Sequence, residues 1–149
     1  MQTKNDIIKD NQATLINARK FLDKDYWKLE QAIKGAYGVH SVDISETKVD
    51  TSISPDSKER SYLSAIDADN IIKSAKEAMA YLPDEYRKLI FYSYFKHRNK
   101  KWLATVLNMS DRNILIHKNL ALIEFAKYFD MRQMVNGVHK PFKLTETEV

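Results

Sequence analysis

Glycine and proline, the residues that interrupt helices most strongly, occupy only six of the 149 positions of this chain. Long stretches between them, such as residues 1–34 and 84–136, lack both residues and are rich in Lys, Ala and Leu, which favour helices. A β-sandwich or barrel needs many more turn residues than this. The chain therefore predicts an all-α fold, either as one domain or as a small domain with an arm.

The first predicted helix is amphipathic and runs from about Asp6 to Lys34, with an irregularity expected near Asp23–Asp25. Its apolar face combines residues at helical spacing with two flanking aromatics: Leu15, Ala18, Phe21, Leu22, Tyr26, Leu29 and Ile33. Gly35 and Gly38 end it. Residues 1–38 are thus a helical arm, which either packs on the rest of the fold or mediates oligomerisation, because periodicity does not distinguish these roles.

A linker is predicted over residues 39–57, which are rich in Ser, Thr and Asp and show no helical stripe. Within it, Ser54-Pro55-Asp56 is a helix start, with Ser as the N-cap and Pro at the first helical position. The following helix runs to about Tyr81. One face of this helix carries mainly apolar residues, with a single carboxylate among them: Leu63, Asp67, Ile71, Ala75, Ala78 and Leu82.

The predicted helical domain covers residues 58–135, and Pro83 divides it. Pro83 is expected to be the first residue of the next helix. The next helix ends in a basic turn over residues 96–101. Asn99 then caps a short helix, Asn108 makes a left-handed turn, and Ser110 caps a last helix that runs to about Val135. Asn136-Gly137 indicates the end of this helix, and residues 136–149 are expected to form a flexible tail.

A helix-turn-helix is predicted over about residues 99–120, because each position there has a geometric role. Ala104 is small enough for two helices to cross closely, Leu103 and Leu107 bury against the preceding helix, and Met109 fills the corner. Ile114 holds the second helix on the core. A helix presented in this way can enter the major groove of DNA.

The same region resembles region 4 of bacterial sigma factors, over roughly residues 80–129. The residues that carry the resemblance are Leu82-Pro83-Asp84-Glu85-Tyr86-Arg87-Lys88-Leu89-Ile90, Tyr94-Phe95, Leu103-Ala104, Leu107, Ser110 and Ala121-Leu122. With its N-terminal helix, Ser-Pro linker and middle helix, the whole chain is similar to the ArpU-type late regulators of phages of Gram-positive bacteria, and to the related RinA-type activators. This resemblance implies an activator of phage packaging or lysis genes in the cytoplasm of a bacterial host, with RNA polymerase as a further partner.

The positive charge of the chain is concentrated in one segment. Residues 83–140 carry 11 Lys and Arg against 5 Asp and Glu, whereas residues 1–82 carry 12 against 13. This asymmetry indicates a polyanionic partner, here double-stranded DNA. We expect phosphate contacts from the basic turn and base contacts from the start of the last helix, so the candidate residues are Lys96, Arg98, Lys100, Lys101, Arg112, Asn113 and Lys118.

Two aliphatic residues, Leu115 and Ile116, lie where base-reading side chains are expected. They could contact thymine methyl groups, be covered by the arm, or contact another protein, including a second copy of the chain. This feature leads to an alternative function: a sigma-like adaptor or antirepressor that acts through protein contacts without reading DNA.

No catalytic, metal or cofactor site is expected. The chain has no Cys, its four His lack metal-ligand spacing, and no phosphate-binding Gly loop or nucleophile motif is present. The polar N-terminus predicts no signal peptide, and the absence of a run of about 18 apolar residues predicts no membrane partner.

Overall fold

The computed structural model describes residues 2–36 and 55–146, with side chains for residues 2–35 and 65–146. All regular structure in these ranges is helical, which confirms the all-α prediction. The helices are α1 (Lys4–Asp10), α2 (Gln12–Lys20), α3 (Tyr26–Ala36), α4 (Pro55–Tyr81), α5 (Asp84–Ile90), α6 (Lys100–Leu107) and α7 (Asp111–Val135). Most of the predicted linker and the Ser54 cap lie outside the described residues, and the side chain of Leu63 is not described.

The N-terminal arm is a succession of helices rather than the single one expected. A capping box between Thr3 and Asp6 begins α1, and Asn11, whose φ of −120° and ψ of 32° are not helical, separates it from α2. A π-helical turn, Phe21–Asp25, joins α2 to α3 at the position of the predicted irregularity. The wider turn changes which side chains face inward and brings Phe21, Leu22 and Tyr26 into the core.

Proline sets the ends of the middle helices. The helix α4 begins at Pro55 and ends at Tyr81, as predicted, and the next helix begins at Asp84, so that Pro83 is its N-cap rather than its first residue. A second π-helical turn, Phe91–Phe95, follows α5. Aromatic residues of this turn and of α3 meet: the Phe95 ring lies 5.1 Å from Tyr26 and 5.5 Å from Trp27, between centroids.

The core is centred on Phe21 of the arm. Its ring is fully buried and lies 4.5 Å from Phe129 and 6.4 Å from Phe125, both on α7, and 5.5 Å from Phe142 of the C-terminal segment. Because α7 has 25 residues, it is long enough, at about 1.5 Å per residue, to pack against α1, α2, α4, α5 and α6. The arm is thus an integral part of the fold, and its predicted apolar face is buried against other helices of the same chain.

The C-terminal segment is packed, contrary to the expected flexible tail. Leu144 is buried, and its backbone N–H donates to Asp130 at 2.9 Å. Gln133, buried on α7, donates to the Phe142 carbonyl and accepts from its N–H. The expectation of a loose tail is therefore wrong for residues 138–146, because side chains of α7 replace the hydrogen bonds that water would otherwise make to this extended backbone.

Asp67 has a structural role that its position on a mostly apolar helix face did not indicate. Its carboxylate accepts from the backbone N–H groups of His139 and Lys140, at 2.9 and 3.0 Å. Burial alone would raise the pKa of Asp67, but these donors outweigh it and lower the pKa below its ordinary value. The carboxylate on α4 thus fixes the chain where it leaves α7.

Candidate nucleic-acid interface

Local capping chemistry shapes the connection between α6 and α7. The Asn99 side chain caps α6 by accepting from the Trp102 N–H at 2.8 Å, and Ser110 caps α7 by accepting from the Asn113 N–H at 3.2 Å. Between the helices, Asn108 adopts the left-handed conformation, with φ 54° and ψ 51°. These three predicted features are confirmed. They join the helices through a turn of three residues, Asn108 to Ser110.

A small apolar cluster fixes the angle between these helices. Leu89 of α5, Leu103 of α6 and Ile114 of α7 are each almost fully buried, and Ala104, Leu107 and Met109 pack against them. The three buried side chains come from three different helices, and Met109 comes from the turn. The cluster therefore holds the start of α7 against α5 and α6 and leaves its outward face exposed.

The basic turn before α6 has a defined backbone. His97 adopts a positive φ of 54°, and the Arg98 N–H donates to the Tyr92 carbonyl at 2.8 Å. The Arg98 guanidinium lies 5.0 Å from the Trp102 ring, and the Lys96 ammonium lies 5.7 Å from the Phe91 ring. Aromatic neighbours thus support these cations from one side while the side chains stay exposed to solvent.

Three of the predicted DNA-contacting residues meet at one place. Arg98, Lys100 and Lys118 line a cavity of about 60 Å³ together with Leu103, Ile114 and Leu115. The first two come from the turn and the start of α6, and Lys118 comes from α7. The fold therefore brings cations that are distant in sequence to the same small depression, where they can act together on one anionic group.

Most of the predicted cations are available for an external anion. Lys96, Arg98, Lys100, Lys101 and Arg112 are exposed, and none of them forms an ion pair with another residue in the part of the chain that the structure describes. By contrast, Lys88 pairs with Asp84 and Arg132 with Glu77. The uncompensated positive charge thus lies along the basic turn and at the starts of α6 and α7.

Lys118 differs from the other candidates because it is only partly exposed. Its ammonium lies 5.0 Å from the Tyr94 ring. Burial lowers the pKa of Lys118 from its ordinary value, the Arg19 guanidinium acts in the same direction, and the Asp23 carboxylate opposes both. Lys118 therefore sits at the inner edge of the basic surface, facing the arm.

The arm limits how much of α7 is accessible, which the sequence analysis left open. Arg19 donates to the Asn119 side chain at 2.7 Å, and the Lys4 ammonium lies 3.4 Å from Nε2 of His117. On the other side of His117, Nδ1 lies 3.1 Å from the Glu85 carboxylate. The two contacts of the arm join residues 100 and 113 positions apart, and the Glu85 contact joins residues 32 positions apart, so no local pattern could have identified them.

The aliphatic residues Leu115, Ile116, Leu120 and Ile123 of α7 differ in their exposure. Leu120 and Ile123 are buried within the single chain, whereas Leu115 is 50% exposed and Ile116 is intermediate. Near α6, the accessible part of α7 is thus its first turns, with Asp111, Arg112, Asn113 and Leu115. Asp111 lies in the first turn, where the helix dipole favours a carboxylate.

The chain matches no protein-family model, no curated protein and no solved structure. Within the described ranges, none of the helices has the length and apolar character that crossing a membrane requires.

Proposed function

We propose that this protein binds double-stranded DNA through a helix-turn-helix formed by α6 and α7 and regulates transcription. The observation that carries the proposal is the group of exposed cations in the basic turn and at the starts of α6 and α7, namely Lys96, Arg98, Lys100, Lys101 and Arg112, for which the described residues supply no ion-pair partner. A surface of this kind is suited to a phosphate backbone.

The roles of the residues follow from their positions. Arg98 and Lys100 lie next to the N-terminus of α6, whose exposed N–H groups also favour a phosphate. Arg112 and Asn113 lie on the first, accessible turn of α7, and their side chains are the types that hydrogen-bond to guanine and adenine edges in the major groove. Lys118 lies deeper and adds positive charge to the depression rather than reading a base.

The more specific part of the proposal rests on the resemblance to the ArpU type. It assigns the protein to late-gene regulation in a phage or prophage, with packaging or lysis genes as targets, in the cytoplasm of the bacterial host. RNA polymerase is then the second partner.

Binding of a labelled duplex, measured by fluorescence anisotropy over a range of salt concentrations, tests the DNA proposal. The double variant K100A/K101A removes two cations, so the slope of log K against log salt should become shallower by about 2. The matched control is K140A/K143A, which removes two exposed cations from the C-terminal segment and should leave the slope unchanged. Absence of binding by the wild-type protein at low salt would contradict the proposal.

A second candidate function is supported by the exposed apolar residues at the α6–α7 connection. Leu115 is 50% exposed, and Val106 on α6 is exposed as well. They suit a sigma-like adaptor or antirepressor whose α6–α7 surface binds a protein. In that case, L115D would abolish activity in a reporter assay while DNA affinity is absent in both the wild-type protein and the variant.

A further inference from the structure

A second concave surface lies away from the α6–α7 connection. It is a groove of about 500 Å³ between α3, the end of α4, and α5 with its π turn. Its floor is apolar and largely aromatic: Tyr26, Met79, Phe91 and Phe95. The size falls in the range of about 300–1,000 Å³ that is typical of ligand sites, although this groove is open along one side rather than enclosed.

Phe91 is the most notable residue of the floor. It is 39% exposed, and its ring stacks on Phe95 with 5.9 Å between centroids and an interplanar angle of 16°. Packing on Phe95 restrains the ring, so Phe91 can contact a partner without losing much further conformational freedom. Restrained, exposed aromatic residues of this kind commonly anchor protein interfaces.

The rim of the groove is positively charged. Lys76 of α4 and Arg87 and Lys88 of α5 line it, against one carboxylate, Glu30. Glu30 lies beside the Tyr26 hydroxyl, and burial together with this carboxylate raises the pKa of that hydroxyl. Glu30 therefore contacts a neutral hydroxyl within the chain, and the three rim cations outnumber this single carboxylate.

One rim cation is paired within the chain. The Lys88 ammonium lies 3.1 Å from the Asp84 carboxylate, but both side chains are at least half exposed. Such a surface pair contributes little stability, so a partner carboxylate can compete for Lys88. Lys76 has no ion-pair partner within the described residues.

We propose that this groove binds an acidic amphipathic helix of a partner protein. Apolar side chains of the helix, spaced at i, i+3 or i+4 and i+7, would pack on Phe91 and Met79, and its flanking carboxylates would face Lys76, Arg87 and Lys88. The apolar floor favours this occupant over duplex DNA, whose outer surface is dominated by charged phosphates. The groove borders the π turn that leads into the basic turn, so the partner would be held beside the proposed DNA-binding surface.

The test uses the full-length protein and two fluorescein-labelled 16-residue peptides with the same apolar positions, one carrying Glu and the other Lys at the remaining sites. The acidic peptide should bind at least tenfold more tightly than the basic one. F91A should weaken the acidic peptide by at least tenfold, and K76E/R87E should do the same by placing like charges on the rim. M134A, at the exposed end of α7, is the matched control and should bind as the wild type does.

Several outcomes would overturn the proposal. Equal binding of the two peptides, or no effect of F91A in a protein with an unchanged thermal transition, would exclude this groove. If duplex DNA displaces the peptide and K100A/K101A no longer binds it, the peptide binds the basic surface instead. A wild-type dimer in sedimentation that F91A dissociates would show that the groove holds a second copy. Because the peptide assay contains no DNA, its failure is distinguishable from failure of the proposed function.

Discussion

Two residues in the turns on either side of α6, His97 and Asn108, have a positive φ of 54°. For L-amino acids this region is costly, and Asn and His tolerate it better than most. Both positions direct the chain through turns that hydrogen bonds then secure, with the Met109 N–H donating to the Ala104 carbonyl at 3.0 Å. Single residues thus decide how α6 is presented next to α7.

Substitution of Asn108 tests the importance of this conformation. N108V places a β-branched residue at positive φ, and we expect the free energy of unfolding to fall by about 1–2 kcal/mol. N108G adopts the same conformation without steric cost, so its stability should equal or exceed that of the wild type. Urea denaturation followed by circular dichroism measures both. Equal destabilisation by Val and Gly would mean that the Asn side chain, rather than the backbone conformation, matters.

At the scale of elements, the C-terminal segment connects helices that are distant in sequence. Asp67 of α4 holds its start, and Asp130 of α7 holds its end by accepting from Leu144 and Thr145. Phe142 and Leu144 then add apolar surface to the core. A short extended segment therefore closes one end of the bundle, with carboxylates as its attachment points.

The Asp67 contact should make stability depend on pH in the acid range. The pKa of Asp67 is lowered in the folded state from its ordinary 3.8, so its contribution is present above that pH and disappears as pH falls through the lowered value. D67N should lower the free energy of unfolding by about 1–2 kcal/mol at pH 7, and the difference from wild type should vanish in strong acid. D69N, at an exposed neighbouring position, is the control. A pH-independent difference would contradict this account.

At the scale of the whole molecule, the arm combines two roles. Its buried face, with Leu15, Phe21, Leu22 and Tyr26, completes the core, and its polar residues Lys4 and Arg19 contact α7 beyond the accessible first turns. The basic α6–α7 surface and the groove between α3, α4 and α5 are therefore both defined partly by residues of the arm. Neither surface belongs to the C-terminal half of the chain alone.

Removal of the arm should consequently abolish folding. Burial of the four large side chains named above contributes roughly 6–12 kcal/mol, which is comparable to the about 5–15 kcal/mol of net stability of a typical domain. A fragment of residues 55–149 should show no cooperative thermal transition and should bind a dye that reports exposed apolar surface. A cooperatively folded, monomeric fragment would show instead that the helical domain is independent of the arm.

The sequence by itself determined the helical class and most helix ends, because Pro55, Asn99, Asn108, Ser110 and Gly137 act through dihedral angles and hydrogen bonds within a few residues of themselves. It also identified the cations that the fold gathers beside α6. Only the tertiary structure decided that the arm covers part of α7, that Lys118 is half-buried and that the C-terminal segment is packed. These features depend on contacts between residues tens to more than a hundred positions apart, and apolar periodicity identifies a face that must be buried without identifying what buries it.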